Sequence, residues 1–314
     1  MKVVVAGATG AIGRPLVTAL RRGGHQVYAL TRGGRGAEIA RGLGATPLVA
    51  NVMDRSDLLR ATERLTADAV IHQLTAHRHS PPTHYHAPGL LRTNALREIG
   101  SKHLVELAQR TGARRYLTQS LIVGYGLRDH GSGLVTEQDP FGRIPGDVND
   151  GVIGALHQAE SSAWRAPGIG GIALRYGLFY GPGASDTFVR ALSLRMLALP
   201  STVTGYAGFV HIEDAAAATV AALERGVAGR AYNIVDDEPV TWGTMLDAMA
   251  AAVGARPPRR VPARLLRMTS PLAAAQMLDL SIRVSNAQAR TELGWRPRYP
   301  SYREGLPTLA HATE

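Results

Sequence analysis

The stretch MKVVVAGATGAIG at residues 1–13 decides the fold of this chain. Residues 3–6 form a short apolar strand, and glycines follow at positions 7, 10 and 13 with the spacing G-x-x-G-x-x-G. A strand, a glycine turn and a helix in this order expose backbone N–H groups that can bind a pyrophosphate at the helix N-terminus. The stretch therefore predicts a dinucleotide-binding site.

Alternating strand and helix patterns fill the first half of the chain. Short apolar runs predict strands at residues 3–6, 26–31, 46–51, 69–74, 114–120 and 171–179. Amphipathic spacing predicts helices at about 11–22, 55–65, 90–111 and 152–166. Strands that alternate with helices form parallel sheets through right-handed crossovers. We therefore expect an α/β fold with a doubly wound parallel sheet.

The remainder of the chain has shorter and more mixed elements. A helix is predicted at about 214–225, with Asp214 as its N-cap. We expect residues 1–180, joined by elements of 209–235, to form the dinucleotide-binding domain. Residues 181–314 are expected to form a smaller, mixed α/β portion that binds the substrate.

Charge and composition limit the kind of protein. The formal net charge is +10, but all except two of the 35 basic residues are arginines, which are spread over the whole chain. We therefore expect no nucleic-acid partner. The absence of cysteine excludes disulfides and thiolate metal sites. Because there is no apolar run of about 18 residues and a core strand stands where a signal peptide would, we expect a cytoplasmic protein with no membrane partner.

Nine segments, in order along nearly the whole chain, resemble the extended or atypical short-chain dehydrogenase/reductase superfamily, the group of the NAD-dependent epimerases and dehydratases. They are GATGAIG at 7–13, NVMD at 51–54, AVIHQLTA at 69–76, RTNALREIGSKHLVELAQRTGARRYLTQS at 92–120, TEQDP at 136–140, LRYGLFYGPG at 174–183, FVHIEDAA at 209–216, AYNIVDDEPVT at 231–241 and LGWRPRYPSYREGL at 293–306. The resemblance implies a Rossmann-like fold and a small-molecule substrate. It also implies a homodimer that pairs through the helices at about 90–111 and 152–166.

The glycine turn supplies the first group of expected cofactor contacts. Gly7 permits the tight turn, Gly10 lets the pyrophosphate approach, and Gly13 lets the helix pack on the sheet. Thr9, Ala11 and Ile12 complete the turn and the start of the helix, where backbone N–H groups face the phosphates.

The end of the second strand indicates which dinucleotide binds. An acidic residue there would hold the ribose hydroxyls of NAD, whereas an arginine accommodates the 2′-phosphate of NADP. The segment reads Thr31-Arg32 with Arg35 shortly after, and no acidic residue occurs before Glu38. We expect NADP, with NAD as the alternative, and Arg32 as a cofactor-binding residue.

The resemblance implies further cofactor contacts at the ends of three other strands. Asn51 and Val52 match the segment that contacts the adenine, and the end of the fourth strand lies beside the cofactor ribose. The segment around Gly177 approaches the nicotinamide. The remaining residues implied in this way are Leu74, Thr75, Ala76, Tyr176 and Leu178.

The proton-transfer pair typical of this family is absent. Family members carry Ser or Thr at the end of the fifth strand and Tyr-x-x-x-Lys on the next helix, where the lysine lowers the pKa of the phenol. Ser120 matches the serine. When Glu160 is aligned with the glutamate that follows the motif, Val152 stands at the tyrosine position and Leu156 at the lysine position.

Lysine content excludes any other alignment of the pair. Lys2 and Lys102 are the two lysines, and neither has a tyrosine four residues before it. Three interpretations remain open. The protein uses another acid–base group, it catalyses hydride transfer with a different proton source, or it binds a dinucleotide without turnover as a regulator or scaffold.

Substitute proton donors are few. Tyr125 lies five residues after Ser120 in a segment that resembles the family's substrate-facing loop, although a structural tyrosine fits there equally. His157 adjoins the vacated lysine position but is rotated about 100° from it on the helix. The stretch HRHSPPTHYHAPG supplies histidines at positions 77, 79, 84 and 86, where open α/β sheets bind ligands. We expect no metal site.

The expected substrate pocket lies at the C-terminal ends of the strands. Val152, Leu156, Phe209 and His211 are its predicted substrate-contacting residues, although His211 also fits a structural cap. Because Val152 and Leu156 are apolar, we expect a bulky, less polar substrate rather than a nucleotide sugar. The leading hypothesis is a reductase, epimerase or dehydratase acting on a small metabolite, and the alternative is a non-catalytic dinucleotide-binding regulator.

Overall fold

Seven parallel strands form the central sheet of the protein. The computed structural model describes residues 1–76, 83–144, 146–203 and 205–312. The strands are β1 Lys2–Ala6, β2 Gln26–Thr31, β3 Thr46–Val49, β4 Ala69–His72, β5 Arg115–Leu121, β6 Asp129–Val135, β7 Gly170–Tyr176, β8 Leu178–Tyr180, β9 Ala198–Pro200, β10 Tyr206–Ala207, β11 Phe209–His211, β12 Ala231–Ile234, β13 Val240–Thr241, β14 Arg259–Val261 and β15 Ser281–Val284. The central sheet has the order β12-β7-β5-β4-β1-β2-β3, and the other strands form short pairs around it.

Helices connect the strands and cover both faces of the sheet. They are α1 Gly13–Arg22, α2 Gly34–Gly42, α3 Arg55–Ala61, α4 Pro88–Ala95, α5 Ser101–Arg110, α6 Asp150–Trp164, α7 Asp186–Ser193, α8 Ile212–Arg225, α9 Trp242–Ala252, α10 Ala263–Thr269, α11 Pro271–Ala274, α12 Ala287–Glu292 and α13 Tyr302–Gly305. A π-helical segment, Leu96–Gly100, joins α4 to α5. The strand order reverses between β1 and β4, which makes the sheet doubly wound, as the sequence predicts.

Two apolar layers hold the helices on the sheet. One packs α1 and α8 against one face through residues such as Leu16, Leu20 and Leu223. The other packs α5 against the opposite face through Leu104 and Leu107. Because both faces of the sheet are covered, its strands are continuous apolar runs and do not alternate between apolar and polar residues.

The C-terminal part contributes a further apolar core and returns one strand to the sheet. Trp242, Met245 and Leu246 of α9 pack with Phe209 of β11 in this core. The strand β12 pairs in parallel with β7 and forms an edge of the central sheet. Among the described residues, no helix has the length and apolarity that crossing a membrane requires.

Some element boundaries differ from the sequence prediction. The single strand predicted at 171–179 is two strands, β7 and β8, separated at Gly177, where an added Cβ would lie 2.8 Å from the Gly208 carbonyl oxygen. The predicted helix 90–111 contains the π-helical segment, and α2 was not predicted. The prediction that Asp214 is the N-cap of α8 is wrong. His211 is the N-cap and accepts from the Glu213 N–H, since the helix begins at Ile212.

The glycine turn after β1 depends on close approach of backbone to backbone. Gly7 has a φ of +95°, and a Cβ there would lie 2.6 Å from the Gln73 carbonyl oxygen at the end of β4. A Cβ on Gly13 would lie 2.1 Å from the Gly7 carbonyl oxygen. Side chains cannot occupy these positions without moving the turn, so the first turn of α1 is seated directly on the sheet edge.

We expect Gly13→Ala to destabilise the fold by about 3 kcal/mol, because its methyl group would collide with backbone that other strands hold in place. Gly34→Ala is the matched control, since Gly34 opens the exposed helix α2 and a Cβ there meets no described atom within 4 Å. That control should be neutral or stabilising by up to about 1 kcal/mol. Chemical denaturation measures both, and equal effects would contradict the close-approach argument.

Candidate active site

The nucleotide end of the site is the glycine turn and the first turn of α1. Within the described residues, no side chain caps this helix N-terminus, and its first turn carries no acidic residue. A Cβ on Gly10 would touch only the Gly7 carbonyl oxygen, at 3.3 Å, so the space beside Gly10 is otherwise open. Thr9, Ala11 and Ile12 complete this turn. Free backbone donors at a helix N-terminus with room beside them suit a diphosphate.

The ends of β2 and β3 supply the expected adenine side. Arg32 and Arg35 are exposed beyond the end of β2, and the nearest acidic residue, Glu38, points to solvent on α2. Asn51 is exposed and accepts from the Met53 N–H at 3.1 Å, whereas Val52 is buried in the core. Arginines without a nearby acid give this end a positive surface.

The end of β4 lies against the glycine turn. A Cβ on Gly7 would be 3.1 Å from the Leu74 nitrogen, so residues 74–76 run directly beside the turn. Thr75 is exposed, and the Ala76 N–H donates to the Thr93 hydroxyl at 2.9 Å. The structure therefore brings these predicted cofactor residues together with Gly7.

The two residues of the predicted nicotinamide segment have different surroundings, since Tyr176 is buried and Leu178 lines a cavity. The Tyr176 side chain is buried, where its hydroxyl accepts from Gln73 at 2.8 Å and bonds with Thr219 at 2.8 Å. Leu178 follows Gly177 and lines an apolar cavity. Only the backbone of Tyr176 can therefore contribute at the surface of the site.

Ser120 lies near the end of β5, between β4 and β7. It is completely buried, and no group in the described part of the chain forms a hydrogen bond with its hydroxyl. A buried hydroxyl without a partner is unusual in folded proteins. A ligand at the strand ends would give it one.

Apolar side chains occupy the two positions of the missing pair. Val152 lines the cavity and Leu156, one turn further along α6, is completely buried. The Glu160 carboxylate, one turn later, accepts two hydrogen bonds from Arg175 on β7 at 3.0 and 2.9 Å. This buried ion pair fixes the rotation of α6, so Val152 faces the site and offers it no proton.

Tyr125 belongs to the same buried network. Its hydroxyl accepts from Arg175 at 2.9 Å and donates to the Asn233 amide oxygen at 2.8 Å. Burial raises the pKa of Tyr125 to about 12. Both hydrogen-bonding directions of this hydroxyl are therefore used inside the protein, and the arrangement favours a structural role over proton transfer.

Among the described residues, none of the predicted histidines lines the cavity. His157 is exposed on α6 and bonds with the Ser161 hydroxyl at 3.3 Å. His211 caps α8 and bonds with the Thr308 hydroxyl at 3.1 Å, and burial lowers its pKa to about 4. His84 and His86 are exposed near the start of α4, while positions 77 and 79 of the predicted histidine loop lie outside the described residues.

An apolar cavity of about 200 Å³ lies between the sheet and the C-terminal part. Val152, Leu178 and Phe209, three of the predicted pocket residues, line it. Five of its lining residues are aromatic, namely Phe179, Tyr180, Phe188, Phe209 and Trp242. These apolar and aromatic walls suit an apolar ligand.

The polar side chains that line the cavity were not predicted. Arg97 lies in the π-helical segment, 2% exposed, and its Nε–H has no hydrogen-bond partner within the part of the chain that the structure describes. The same holds for the indole N–H of Trp242. A signal for Arg97 exists in the sequence, since it lies seven residues from both Leu90 and Leu104 and therefore shares their helix face.

A sequence model of the NAD dependent epimerase/dehydratase family matches residues 3–235. The chain belongs to this family. The glycine turn and the start of α1 offer free backbone donors and space.

Members of the family with known names cover the chain almost completely. A 3-diazoavenalumate denitrifying reductase of a Streptomyces species is 37% identical over 98% of this chain and 99% of its own length. The ceramide reductase of Caulobacter vibrioides is 26% identical over 98% of this chain and 89% of its own length.

Solved structures of the family share the fold. The dTDP-glucose 4,6-dehydratase of Streptomyces venezuelae, solved with NAD bound, superposes with a TM-score of 0.78. It is 22% identical, and the superposition covers 99% of this chain and 96% of that one. The likeness shows that the fold of this protein is that of the family's sugar-nucleotide enzymes.

We expect Tyr125→Phe to lower the free energy of unfolding by about 1–3 kcal/mol, because Arg175 and Asn233 lose a buried partner. Turnover per folded molecule should stay within about twofold, whereas loss of a true general acid costs about 10²–10⁴ in rate. Tyr28→Phe on β2 is the control, expected within about 0.5 kcal/mol of wild type. Denaturation curves and nicotinamide absorbance measure the two effects, and a hundredfold loss of turnover would reassign Tyr125.

Proposed function

We propose that this protein is an NADPH-dependent reductase that removes the diazo group of a flat, apolar substrate and replaces it with hydrogen. The observation that carries the proposal is the apolar wall of the site. Val152 and Leu156 stand where the family's proton donor and its activating lysine would be. The relative at 37% identity, named for reducing a diazo compound, indicates a reaction that fits such a wall.

Reductive loss of a diazo group needs no general acid. A bound reduced nicotinamide supplies a hydride. For an aryl diazonium substrate, one hydride is added, the carbon–nitrogen bond breaks, dinitrogen leaves, and a carbon–hydrogen bond takes its place. Ar–N₂⁺ and H⁻ become Ar–H and N₂, so charge and atoms balance without a proton. The absence of the Tyr–Lys pair therefore does not prevent this reaction.

Other reactions of the family require a proton to move. Reduction of a carbonyl protonates the new alkoxide, and epimerisation or dehydration removes a proton from the substrate. The described side chains of the cavity offer Arg97, Gln276, Tyr180 and Trp242 as polar groups, and Tyr180 already donates to Asp236 at 2.8 Å. None of these is a base or acid near neutral pH, which favours a reductase that uses hydride alone.

The cavity selects the substrate by shape. Aromatic walls on β8, β11, α7 and α9 stack well on a conjugated, planar molecule. Diazo groups persist in water mainly when they are conjugated with such a ring system. The protein's part in the reaction is to exclude water, hold the ring flat, and present the carbon–nitrogen bond to the nicotinamide.

The cofactor preference rests on the exposed end of β2. Arg32 and Arg35 are free to reach a 2′-phosphate, and the first acidic residue, Glu38, lies on the outer side of α2. Two guanidinium groups beside the ribose favour NADPH over NADH. The glycine turn would hold the diphosphate, and Ser120, whose hydroxyl lacks a described partner, would meet the nicotinamide end.

The direct test is to incubate the protein with NADPH and 3-diazoavenalumate, the compound in the relative's name. We expect one dinitrogen released for each NADPH consumed, and deuterium from 4-deuterated NADPH at the carbon that carried the diazo group. Because the step uses no proton, kcat should change less than about threefold between pH 6 and pH 9.

Gly10→Asp is the control for this assay, because its carboxylate would occupy the diphosphate space, and a Cβ there meets the Gly7 carbonyl oxygen at 3.3 Å and no other described atom within 4 Å. It should abolish turnover and NADPH binding together without unfolding the protein. Tight NADPH binding by the wild type without consumption would contradict the proposal and favour a dinucleotide-binding regulator. Consumption of ketones but no diazo compound would make it a carbonyl reductase.

We expect Arg32→Ala to raise the Kd for NADPH about tenfold and to leave the Kd for NADH within about twofold, because one charged hydrogen bond to a phosphate is lost. Arg41→Ala, in the last turn of α2, is the matched control and should change neither value. Fluorescence titration of both dinucleotides measures the constants. Equal weakening of NADH and NADPH would contradict the assignment of a 2′-phosphate site.

A further inference from the structure

The cavity contains a buried positive charge, Arg97, that has no negative partner among the residues that the structure describes. Arg97 is 2% exposed, and its one described side-chain hydrogen bond is a long one of 3.5 Å to the Gln119 amide oxygen. Burial lowers its pKa to about 10, so the guanidinium remains charged at neutral pH. No carboxylate of the described residues forms an ion pair with it, in contrast to Arg175, which is paired with Glu160.

Proteins rarely bury a charge without a compensating group, because the loss of hydration costs several kcal/mol for each ion. A guanidinium presents its donors in a planar fork that matches a carboxylate. One edge of the Arg97 fork consists of Nε and Nη2. The Nε–H has no hydrogen-bond partner among the described residues, and Nη2 donates only the long hydrogen bond to Gln119. Such an edge is suited to two parallel hydrogen bonds with two oxygens.

The surroundings of Arg97 show why the charge belongs to the cavity. Leu90, Val123 and Val152 line the same space, and they offer the guanidinium no acceptor. The π-helical segment that carries Arg97 is buried at Gly100 against Val52, so the backbone there is held by the core. The side chain therefore lies at an apolar wall where no carboxylate of the described residues neutralises it, and a ligand in the cavity can.

We propose that Arg97 binds a carboxylate of the substrate, so that the ligand of this cavity is a flat, apolar acid. The proposal rests on the proposed function only in taking this cavity as the substrate site, and it assigns Arg97 to the acidic group of the substrate. Trp242, whose indole N–H also lacks a described partner, provides a second donor from α9 for an acceptor elsewhere on the same molecule.

Binding of simple aryl carboxylates tests this without any diazo chemistry. Benzoate, cinnamate and 2-naphthoate, each with its neutral primary amide, are titrated by calorimetry into the protein saturated with NADP⁺. We expect at least one acid to bind more tightly than its amide, and Arg97→Met to weaken that acid about 30- to 100-fold while leaving the amide within about threefold. Arg97→Lys, which keeps the charge but loses the fork, should recover part of the affinity.

Gln276→Leu is the matched control, because Gln276 is the other long polar side chain of the cavity but carries no charge. It should change the acid and the amide alike. Arg97→Met should also raise the melting temperature of the ligand-free protein, since it removes a buried charge without a partner. A merely structural role for Arg97 would instead lower it.

Three results would overturn the inference. No acid of the panel binds better than its amide, Arg97→Met weakens acid and amide equally, or Arg97→Met weakens NADP⁺ rather than the acids, which would make the anion part of the cofactor. These outcomes are separate from failure of diazo reduction. The acids can bind through Arg97 in a protein that reduces another group, and diazo reduction can occur in a protein whose Arg97 binds no acid.

Discussion

The approach of the glycine turn to the end of β4 is the constraint on which the rest of the structure depends. Gly7 and Gly13 allow backbone to lie within van der Waals distance of backbone, with no room for a side chain between them. This contact seats α1 on the sheet at the point where the strand order reverses. A reversal of strand order opens a crevice at the strand ends, where the proposed dinucleotide site lies.

A second constraint fixes the chemistry of the crevice. The buried pair of Arg175 and Glu160 joins β7 to α6 and sets the rotation of that helix. Tyr125 and Asn233 complete the network and draw in the chain after β5 and the edge strand β12. Because the helix is held in this rotation, Val152 faces the ligand. Tyr125, a predicted proton donor, therefore belongs to the network that holds this apolar wall in place.

The cavity combines an apolar wall with the buried cation of Arg97. Hydride transfer to a diazo group needs shape, dryness and orientation, and a water-free pocket also protects a reactive substrate. Arg97 gives such a pocket one fixed charge, which would orient an acidic substrate by one end while the aromatic walls hold its ring. In the proposed function the exposed arginines after β2 bind the dinucleotide, so the two positive regions would serve different anions.

The sequence by itself determined the doubly wound sheet, the glycine turn, the family and the absence of the Tyr–Lys pair, because each rests on local spacing or on residue counts. Only the tertiary structure decided which candidates meet. It placed Tyr125 in a buried ion-pair network and His211 at a helix cap, and it left Arg97 without a described acidic partner. Partners in these networks are up to 108 residues apart in the chain, as Tyr125 and Asn233 are, so no local pattern reveals them.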